Sequence, residues 1–438
     1  MAPRDERTWD GEYLWWRTPA GRVRCGVRFF RGHPKGVKMV TAGVAHLPVL
    51  SERLPSRLIY RCPTSFRESG EGVEAGPVYA VLAGRHTSSS PGVFVGSRVD
   101  FRDLIRLGKE RGELVYVVTP REVTTNSLWA GYVRLGLYRW VKIPVPAPQA
   151  VYNRIPTRKH ENEPMAVAAR SRIQSVGIPM FNPRYFNKQD IYKVIKENGL
   201  ERTMPDTMPH LNRKAFHTML HKHGAIYLKP SGGSVGHGVI RVERAGEGWT
   251  VSALKDTRCE TWYVADERSL YPLVQMLRVP GAYILQQAIE LIRWNGRPCD
   301  FRVLLQKSRG SWSIVGKGVR VSGPNTITTH VPNGGSIAQC HAVLEREFAA
   351  QSLAVERAIH RVALAVARAI DDSKGRAYGE MSMDIGVDER GRPWIFEANA
   401  KPMKFDEPEI RAKSLVGVLN YLKELSSESM AARTRIRE

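Results

Sequence analysis

The chain lacks a long apolar run, a disulfide framework and a paired set of metal-binding cysteines. No stretch approaches the ~18 to 20 consecutive apolar residues that a membrane-spanning helix requires. Its five cysteines (Cys25, Cys62, Cys259, Cys299 and Cys340) are odd in number and widely scattered, and no two of them have Cys-x-x-Cys spacing. This argues against disulfides and a structural zinc site. We therefore expect a soluble protein in the reducing environment of the cytoplasm.

Acidic residues are also scarce. The chain has 66 lysines and arginines against 43 aspartates and glutamates, which gives a formal net charge of +23. Such an excess favours acidic partners such as nucleotides, nucleic acid, anionic polymers or lipid surfaces. The alternative is that the surplus is solvated surface, because no run of five or more basic residues occurs. An RNP-like aromatic strand, a helix-turn-helix signature and zinc spacing are missing, so a nucleic-acid-binding module is the least favoured function.

The length of 438 residues, of which 42% are hydrophobic, predicts two or three domains with a substantial interior. Short apolar pieces separated by glycine and proline predict a small β-rich domain over residues 1–145. Proline stands at every second position of 143–148, which predicts a stiff connector and a domain boundary. Residues 150–210 then read as an α/β unit. Farther along, the apolar spacing predicts one packing helix over Val343–Asp371 and a last helix over Glu409–Leu425.

Two strands near the carboxyl end carry candidate metal ligands. The segments Gly379–Asp388 and Trp394–Pro402 read as neighbouring strands that put Asp384, Glu397 and Asn399 on one side of a sheet. Strand side chains alternate in direction, so Glu397 and Asn399, two positions apart, share a face. Hard oxygen ligands at this spacing suit Mg²⁺, which prefers one or two carboxylates plus substrate phosphates. The alternative is that acidic residues merely end a hairpin.

A glycine-rich hairpin lies upstream of these strands. The apolar run Ala225–Pro230 is followed by Ser231–Gly238, a loop that holds four glycines, and then by a second strand. Bare backbone amides in such a loop can approach phosphate oxygens closely. The loop is not a P-loop, since it lacks Gly-Lys-Ser or Gly-Lys-Thr. By itself such a loop is more often a plain turn than a nucleotide site, but Lys229 at its root is suited to neutralising a polyphosphate.

Further segments follow in a fixed order: a strand ending in Gln286-Gln287-Ala288-Ile289, the strand Asp300–Gln306, the strand Trp312–Arg320 and the turn Asn333-Gly334-Gly335. This order, between the glycine hairpin and the metal set, resembles the ATP-grasp superfamily, which includes glutathione synthetase and the ribosomal-protein glutamate ligases. Within it, the chain resembles the YheC/YheD family, described as endospore coat-associated. The resemblance spans roughly residues 150–425 and rests on these stretches: Val151–Ile155, Phe181–Pro183 with Asn187-Lys188, Tyr227–Pro230, Gln286–Ile289, Asp300–Arg302 and Glu397–Pro402.

The resemblance implies a mixed α/β (α+β) fold class. It implies an ATP-grasp fold over 211–428, in which two α+β subdomains grip ATP, preceded by a pre-ATP-grasp α/β unit at 150–210. The β-rich domain at 1–145 carries no comparable signature, and the tail at 429–438 is expected to be frayed.

The resemblance also implies the residues that bind ATP. Lys188 and Lys229 are the expected phosphate-binding lysines, although Lys188 could equally be a surface residue beside a helix cap. The adenine edge is expected to be bound by the backbone around Gln287 to Ile289, with Glu290 as a ribose partner or a solvated residue. The full set implied for ATP is Lys188, Lys229, Ser231, Gly232, Gly233, Ser234, Gly236, Gly238, Gln286, Gln287, Ala288, Ile289 and Glu290.

For the metal and the reaction, the resemblance implies three ligands and two arginines. Asp384, Glu397 and Asn399 are expected to hold one or two Mg²⁺, with Mn²⁺ as a substitute. Arg302 and Arg320 are expected to hold the transferring phosphoryl group or an acyl phosphate, because a planar guanidinium matches two oxygens at once. Each arginine could instead pair with Asp300 or Glu397 and stabilise the sheet.

The implied reaction is ATP-dependent ligation of a carboxylate to an amine through an acyl phosphate. It requires no protein nucleophile. The carboxylate and the amine are not identified by the sequence, but an acidic peptide or polymer and spore coat proteins fit the resemblance, with a location in the cytoplasm, the forespore or the spore coat. The alternative is a spore-associated structural or assembly protein that binds ATP without ligase turnover. The sequence departs from the family pattern at His237, where many relatives have lysine, and at His330, where they often have asparagine. Neither change removes a predicted metal ligand or phosphate-binding lysine, so nucleotide binding is favoured.

A group of histidines at 217, 221 and 223 raises the question of another metal. His217 and His221, four apart on a predicted helix, could chelate an ion. No acidic residue lies near them in sequence, so a surface role is favoured.

Overall fold

The computed structural model of the protein describes residues 7–437 except 33, 35, 52, 71, 87–91, 137–138, 232–236, 256–257, 325 and 330–333. The predictions for Gly232, Gly233, Ser234 and Gly236 of the glycine loop, and for His330, lie outside these residues. Over the described part of the chain, the strands form four six-stranded sheets and a two-stranded ribbon. None of the described helices combines the length and apolar character needed to cross a membrane.

The first sheet is built by the amino-terminal residues. Its strand order is β2-β1-β5-β6-β3-β4. Side chains of β5 alternate between buried and exposed, which is typical of a sheet with one face in a core and one in water. The strands are β1 (Thr8–Arg17), β2 (Val23–Phe29), β3 (Met39–Ala42), β4 (Ala45–Pro48), β5 (Leu58–Ser69) and β6 (Gly72–Ala75).

The second sheet has a parallel centre with helices beside it. Its order is β12-β11-β10-β7-β13-β14, and β10, β7, β13 and β14 run parallel. Every residue of β7 and β10 is buried, as in parallel strands covered on both faces. The elements are β7 (Val78–Leu82), the ribbon of β8 (Gly84–Arg85) and β9 (Phe94–Val95), α1 (Arg98–Glu110), β10 (Leu114–Val118), β11 (Leu128–Leu135), β12 (Arg139–Pro146), β13 (Ala150–Asn153), α2 (Arg158–Glu161), α3 (Pro164–Ser175) and β14 (Met180–Phe181).

This sheet crosses the boundary that the proline-rich stretch 143–148 predicts. That stretch is largely β12, which pairs with β11, while β13 pairs with β7 on the other side of the predicted boundary. Proline lacks an amide hydrogen, and it is tolerated in β12 because this strand lies at the edge of the sheet. The α/β layer therefore begins near Val78 and not near residue 150. The division of the chain into domains otherwise stays a prediction.

The third sheet follows α4 (Lys188–Glu197) and is antiparallel throughout. Its order is β15-β20-β16-β17-β18-β19. Two helices, α5 and α6, pack their apolar sides on one face, where Phe216, Leu228 and Val274 belong to one buried cluster. The elements are β15 (Thr207–Met208), α5 (Arg213–His223), β16 (Ala225–Pro230), β17 (Ile240–Ala245), β18 (Gly248–Lys255), β19 (Arg258–Val264), α6 (Leu270–Leu277) and β20 (Tyr283–Gln287).

The fourth sheet has the order β24-β23-β22-β25-β26, with β21 paired to β22. Its elements are β21 (Arg293–Trp294), β22 (Arg297–Ser308), β23 (Ser311–Val321), β24 (Ser336–Ala338), α7 (Cys340–Phe348), α8 (Ser352–Ser373), β25 (Glu380–Val387), β26 (Pro393–Asn399) and α9 (Pro408–Arg437).

Two helix predictions in this region require correction. The single helix predicted over Val343–Asp371 is wrong, because the chain breaks between α7 and α8 at Ala349, which has a φ of 45°. The apolar spacing continues through the break, so the sequence pattern does not reveal it. The last helix is longer than predicted, and its backbone stays helical over 429–437, where the sequence predicts fraying.

Candidate functional site

A large cavity lies between the third and fourth sheets. It encloses about 1570 Å³ of empty space, including the solvent at its mouth. Its walls bring together eight of the residues that the sequence predicts for ATP, metal or phosphoryl binding: Lys188, Lys229, Gln286, Gln287, Ile289, Arg320, Asp384 and Glu397.

Lys188 and Lys229 reach the cavity from a helix start and a strand end. The side chain of Asn187 caps α4 by accepting a hydrogen bond from the Gln189 amide at 2.8 Å, which fixes Lys188 in the first turn. On β16, burial alternates, so Ile226 and Leu228 enter the core while Lys229 points to the other face. These local rules are why two lysines far apart in sequence line one cavity.

Lys229 is a cation in a largely desolvated wall. Its Nζ donates a hydrogen bond of 2.5 Å to Oε1 of Gln286 and lies 5.3 and 5.4 Å from the ring centres of Tyr227 and Phe396. Burial is the main cause that lowers the pKa of Lys229 to about 8, and the nearby charge of Lys188 acts in the same direction. An anionic ligand in the cavity would favour the charged form of this amine.

The charged residues of the fourth sheet share one face because of strand register. Asp300 and Arg302 are two apart on β22, Arg320 of β23 stands opposite Asp300, and Asp384 of β25 stands opposite Arg302. Glu397 of β26 stands opposite Asp384 in turn. Directly opposite residues in a ladder project to the same side. Asp384 and Glu397 therefore lie on the same face of the sheet, as the spacing of the sequence predicts.

A bulge in the last hairpin adjusts this register. Asp384 pairs with Glu397 but the next residue, Ile385, pairs with Ile395, so Phe396 is the extra residue. Phe396 lines the cavity next to Lys229 as a result. Asn399 pairs with Ser382 farther along the strand, on the same side as Glu397 but outside the cavity wall.

Cations pair with the carboxylates of this face. Arg320 donates to both oxygens of Asp300 at 2.9 and 2.8 Å and lies 3.0 Å from Asp384 Oδ2. Burial acts to lower the pKa of Arg320, but the carboxylates of Asp300 and Asp384 outweigh it and raise the pKa above its ordinary value. Lys188 Nζ lies 3.6 Å from Glu397 Oε2. Hard oxygen donors converging on one charged face fit Mg²⁺, with Asp384 and Glu397 as the ligands that also line the cavity.

Arg302 points elsewhere on the same face. Its Nη2 donates a hydrogen bond of 2.8 Å to the carbonyl oxygen of Met403, and its guanidinium stacks 4.5 Å from the centre of the Phe405 ring. Burial lowers the pKa of Arg302, while Asp384 opposes this shift. Arg302 thus lies between the charged face and the loop after β26, outside the cavity wall.

In the segment predicted to bind the adenine edge, some backbone amides are already hydrogen-bonded within the protein. The Gln287 amide already donates to the Asp206 carbonyl at 2.8 Å, and the Ala288 amide donates to the Ala225 carbonyl at 3.1 Å. Because both amides already have acceptors within the protein, they are not the groups that would donate to a base edge. Glu290 is 69% exposed at its side chain and lies 3.9 Å from Arg241.

Only the ends of the glycine loop belong to the described residues. The Ser231 amide donates to Ala282 at 2.8 Å, and its Oγ is buried without a hydrogen-bond partner among the described residues. Gly238 has a φ of 74°, and a Cβ there would lie 2.7 Å from Val279 Cγ2, so this position needs glycine. His237 lines the cavity.

The sequence predicts Asp300 only as a possible ion-pair partner for an arginine and not as a residue of the site. Asp300 is buried, lines the cavity, pairs with Arg320 and accepts a hydrogen bond of 2.6 Å from Thr329. The sequence does contain a pattern that could have found it, because residues two apart on a strand, such as Asp300 and Arg302, project from the same face. The apolar wall formed by Tyr192, Ile195 and Met204 was also missed, since such residues look like ordinary core.

The histidines of α5, which have no acidic residue near them in sequence, do have one beside them in the structure. Glu267, fifty residues away in sequence, places Oε1 3.0 Å from Nδ1 of His217 and 3.0 Å from Nε2 of His221.

Known proteins support the resemblance. A family model described as YheC/D like ATP-grasp matches residues 177–425, more than half of the chain. Endospore coat-associated protein YheD of Bacillus subtilis (strain 168) is 28% identical over 403 residues, which cover 89% of this chain and 84% of that protein. Endospore coat-associated protein YheC of the same organism is 25% identical over 202 residues, or 45% of this chain and 54% of that protein.

Among solved structures, D-alanyl-alanine synthetase A from Vibrio cholerae O1 biovar eltor aligns with a TM-score of 0.48 and 12% identity, covering 81% of this chain and 99% of that chain. The family match confirms the resemblance and the ATP-grasp fold that the order of motifs predicts. The chain belongs to the YheC/D-like ATP-grasp family.

Proposed function

We propose that the protein is an ATP- and Mg²⁺-dependent ligase that joins a carboxylate to an amine through an acyl phosphate. The observation that carries this proposal is the cavity in which the partly buried cation Lys229 and the carboxylates Asp384 and Glu397 occupy facing sheets. A polyphosphate needs cations on its oxygens and a divalent ion between them, and this cavity offers groups for both.

In the proposed complex the nucleotide lies along the cavity. Lys188 and Lys229 bind phosphate oxygens, and the apolar side chains of Ile195, Met204 and Ile289 pack on the base. One or two Mg²⁺, or Mn²⁺ in their place, held by Asp384, Glu397 and Asn399 would supply positive charge between the β and γ phosphates.

The proposed reaction requires positioning and charge but no protein nucleophile. The carboxylate substrate takes the γ-phosphoryl group and ADP leaves; the amine then attacks the acyl carbon and inorganic phosphate leaves. Arg320 and Arg302 are suited to holding the phosphoryl oxygens, because guanidinium groups stay charged and bind two oxygens at once. Fixed charges of this kind lower the barrier without reorganising during the reaction.

The substrates proposed are an acidic peptide or polymer and an amine. The net charge of +23 favours an acidic substrate. Because the relatives YheD and YheC are named endospore coat-associated proteins, we extend the proposal to a spore coat protein as substrate or partner, in the cytoplasm, the forespore or the coat.

A second candidate function is ATP binding without turnover in a spore structure. Two observations favour it: His237 lines the cavity in the loop where many relatives have lysine, and Arg320 is engaged by both Asp300 and Asp384. A guanidinium held by two carboxylates must exchange partners before it binds a phosphoryl group.

Turnover assays with pools of substrates separate the two candidates. The protein is incubated with ATP, Mg²⁺ and pools of amino acids or acidic peptides, and ADP and phosphate are measured. A ligase must release both in a sustained manner that depends on an added acid and an added amine, and Glu397→Gln should abolish the release. Nucleotide binding by calorimetry without such release supports the second candidate, and absence of Mg²⁺-assisted ATP binding by folded protein contradicts both.

A further inference from the structure

A cluster of two histidines and one glutamate lies on the outer side of the third sheet, away from the nucleotide cavity. His217 and His221 are four residues apart on α5, so their side chains lie on the same face of the helix. Glu267 belongs to the short turn that leads into α6. None of the three lines the cavity that we assign to ATP.

The donor atoms of these side chains converge on one point. Glu267 Oε1 lies 3.0 Å from His217 Nδ1 and 3.0 Å from His221 Nε2, and one ligand atom from each residue lies within 4.8 Å of the other two. Bonds of 2.0–2.1 Å to a tetrahedral metal would separate neighbouring donors by about 3.3 Å. Small side-chain rotations would therefore suffice to bring all three donors to bonding distance.

The chemistry of the donors selects the kind of ion. Two imidazole nitrogens with one carboxylate suit Zn²⁺ and its first-row neighbours such as Co²⁺, Ni²⁺ and Cu²⁺, while Mg²⁺ prefers oxygen donors. Three protein ligands leave a fourth position for water or for a donor from another molecule. His221 is 64% exposed at its side chain, so an ion can enter directly from solvent.

We propose that His217, His221 and Glu267 form a binding site for a divalent transition-metal ion of the Zn²⁺ class, separate from the Mg²⁺ site of the nucleotide cavity. The simpler explanation is two hydrogen bonds from imidazole N–H groups to one carboxylate oxygen. A metal site should bind added Zn²⁺, whereas a pair of hydrogen bonds should not. The proposal can therefore be tested with the metal alone.

Such an ion would connect the two helices of the third sheet. A single residue, Gly224, separates α5 from β16, which carries Lys229, and Glu267 precedes α6, which leads toward β20 and Gln286. Lys229 and Gln286 are hydrogen-bonded to each other. A metal at the cluster would thus join α5 to the turn before α6, the two segments that lead into the strands of this pair, and we expect it to stabilise this half of the ATP-grasp domain.

The test uses the full chain with Zn²⁺ and Co²⁺ as probes, in excess Mg²⁺ so that sites built of oxygen donors are filled. Binding is measured by calorimetry for Zn²⁺ and by the visible absorption of Co²⁺, which reports nitrogen ligands and tetrahedral geometry. The variants are His221→Gln, at an exposed position, and Glu267→Gln, which keeps the side-chain shape. His341→Gln is the matched control, because His341 is exposed and pairs with Glu345 four residues away, while no third donor joins them among the residues that the structure describes.

The proposal expects one Zn²⁺ per wild-type chain, at least tenfold weaker binding in both cluster variants, and unchanged binding in His341→Gln. It also expects Zn²⁺ to raise the unfolding temperature of the wild type and not of Glu267→Gln. Equal Zn²⁺ affinity of the wild type and both cluster variants would overturn the proposal, as would an equal loss in the His341 variant. Circular dichroism identifies a variant that fails to fold, in which case the other cluster variant decides.

Discussion

Lys229 is a residue whose partial burial costs stability and whose charge suits the binding role that we propose for it. Its amine lies in a wall from which water is largely excluded, and its hydrogen-bond acceptor, Gln286, is neutral. The carboxylates of Glu397, Asp300 and Asp384 attract it, yet burial outweighs them and lowers its pKa. A buried cation of this kind is expected where an anionic ligand completes the site.

Replacing Lys229 with methionine should separate these two effects. The variant removes the cost of burying a charge, so its free energy of unfolding at neutral pH should rise by about 1–3 kcal/mol. Affinity for ATP should fall by about 10- to 100-fold, since a charged hydrogen bond to phosphate is lost. Urea unfolding and calorimetry measure the two quantities. Unchanged ATP affinity in a folded variant would count against the assigned site.

The pKa of Lys229 also predicts how ATP binding depends on pH. Below a pKa of about 8 the amine is charged and attracts phosphate, and above it the amine is neutral. ATP affinity should therefore fall as the pH rises from about 7 to about 9. Lys229→Arg keeps its charge over this range, so the decrease should be smaller in this variant. A decrease of the same size in both proteins would assign the pH dependence to another group.

Asn182 is a residue whose side chain connects two parts of the fold. It is fully buried, has a φ of 54°, and donates to the carbonyls of Glu380 and Ala400 at 3.0 and 2.7 Å. Its Oδ1 accepts a hydrogen bond of 3.0 Å from the Gly379 amide. The side chain thus fixes the beginning of β25 and the end of β26, the strands that carry Asp384 and Glu397.

Asn182→Ala should destabilise the protein by about 2–4 kcal/mol, because the buried backbone groups of Gly379, Glu380 and Ala400 lose this partner. Asn198→Ala, which removes an amide bonded to Val194 at the end of α4, is the control and should cost less than about 1 kcal/mol. Chemical denaturation measures both changes. A loss no larger than that of the control would show that the connection contributes little.

At the scale of elements, alternation and register explain most of the site. A spacing of two predicted that Glu397 and Asn399 share a face, and the pairing of β25 with β26 agrees. The bulge at Phe396 was not predictable, because an extra residue leaves no mark in a short pattern of alternating side chains. The sequence predicts that the backbone around Gln287 to Ile289 binds adenine, but it does not reveal that the carbonyls of Asp206 and Ala225 accept from the amides of Gln287 and Ala288.

The break between α7 and α8 yields a prediction at the same scale. Ala349 has a φ of 45° and a ψ of −119°, a conformation that favours glycine. Ala349→Gly should therefore raise the free energy of unfolding by about 0.5–1 kcal/mol. Ala350→Gly, one residue later and also exposed, should lower it by a similar amount. Equal destabilisation by both substitutions in urea unfolding would contradict the strain at Ala349.

At the scale of the whole molecule, the first two sheets are not separated at the proline-rich stretch 143–148, where the sequence predicts a domain boundary. The first two sheets share a core that includes Trp15, Val78 and Val145, and Trp15 Nε1 donates to the Pro144 carbonyl at 2.5 Å. The amino-terminal residues therefore support the α/β layer and are not independent of it.

A truncated chain that starts at Ala150 tests this arrangement. It would retain only β13 and β14 of the second sheet and expose Val151, whose neighbours in β7 would be missing. We expect aggregation or loss of cooperative unfolding, because a strand buried on both faces becomes an edge. Size-exclusion chromatography and thermal unfolding measure the result. A soluble fragment that unfolds cooperatively would instead support the domain boundary predicted near residue 145.

The sequence by itself determined the family, the order of the motifs and the side chains that share a strand face, because these follow from local spacing and from residue identity. Only the tertiary structure decided which charges meet: Arg320 with Asp300 and Asp384, Lys188 with Glu397, and Glu267 with the histidines of α5. Such pairs join residues from different elements. Their distances depend on how whole sheets and helices pack, which no local pattern contains.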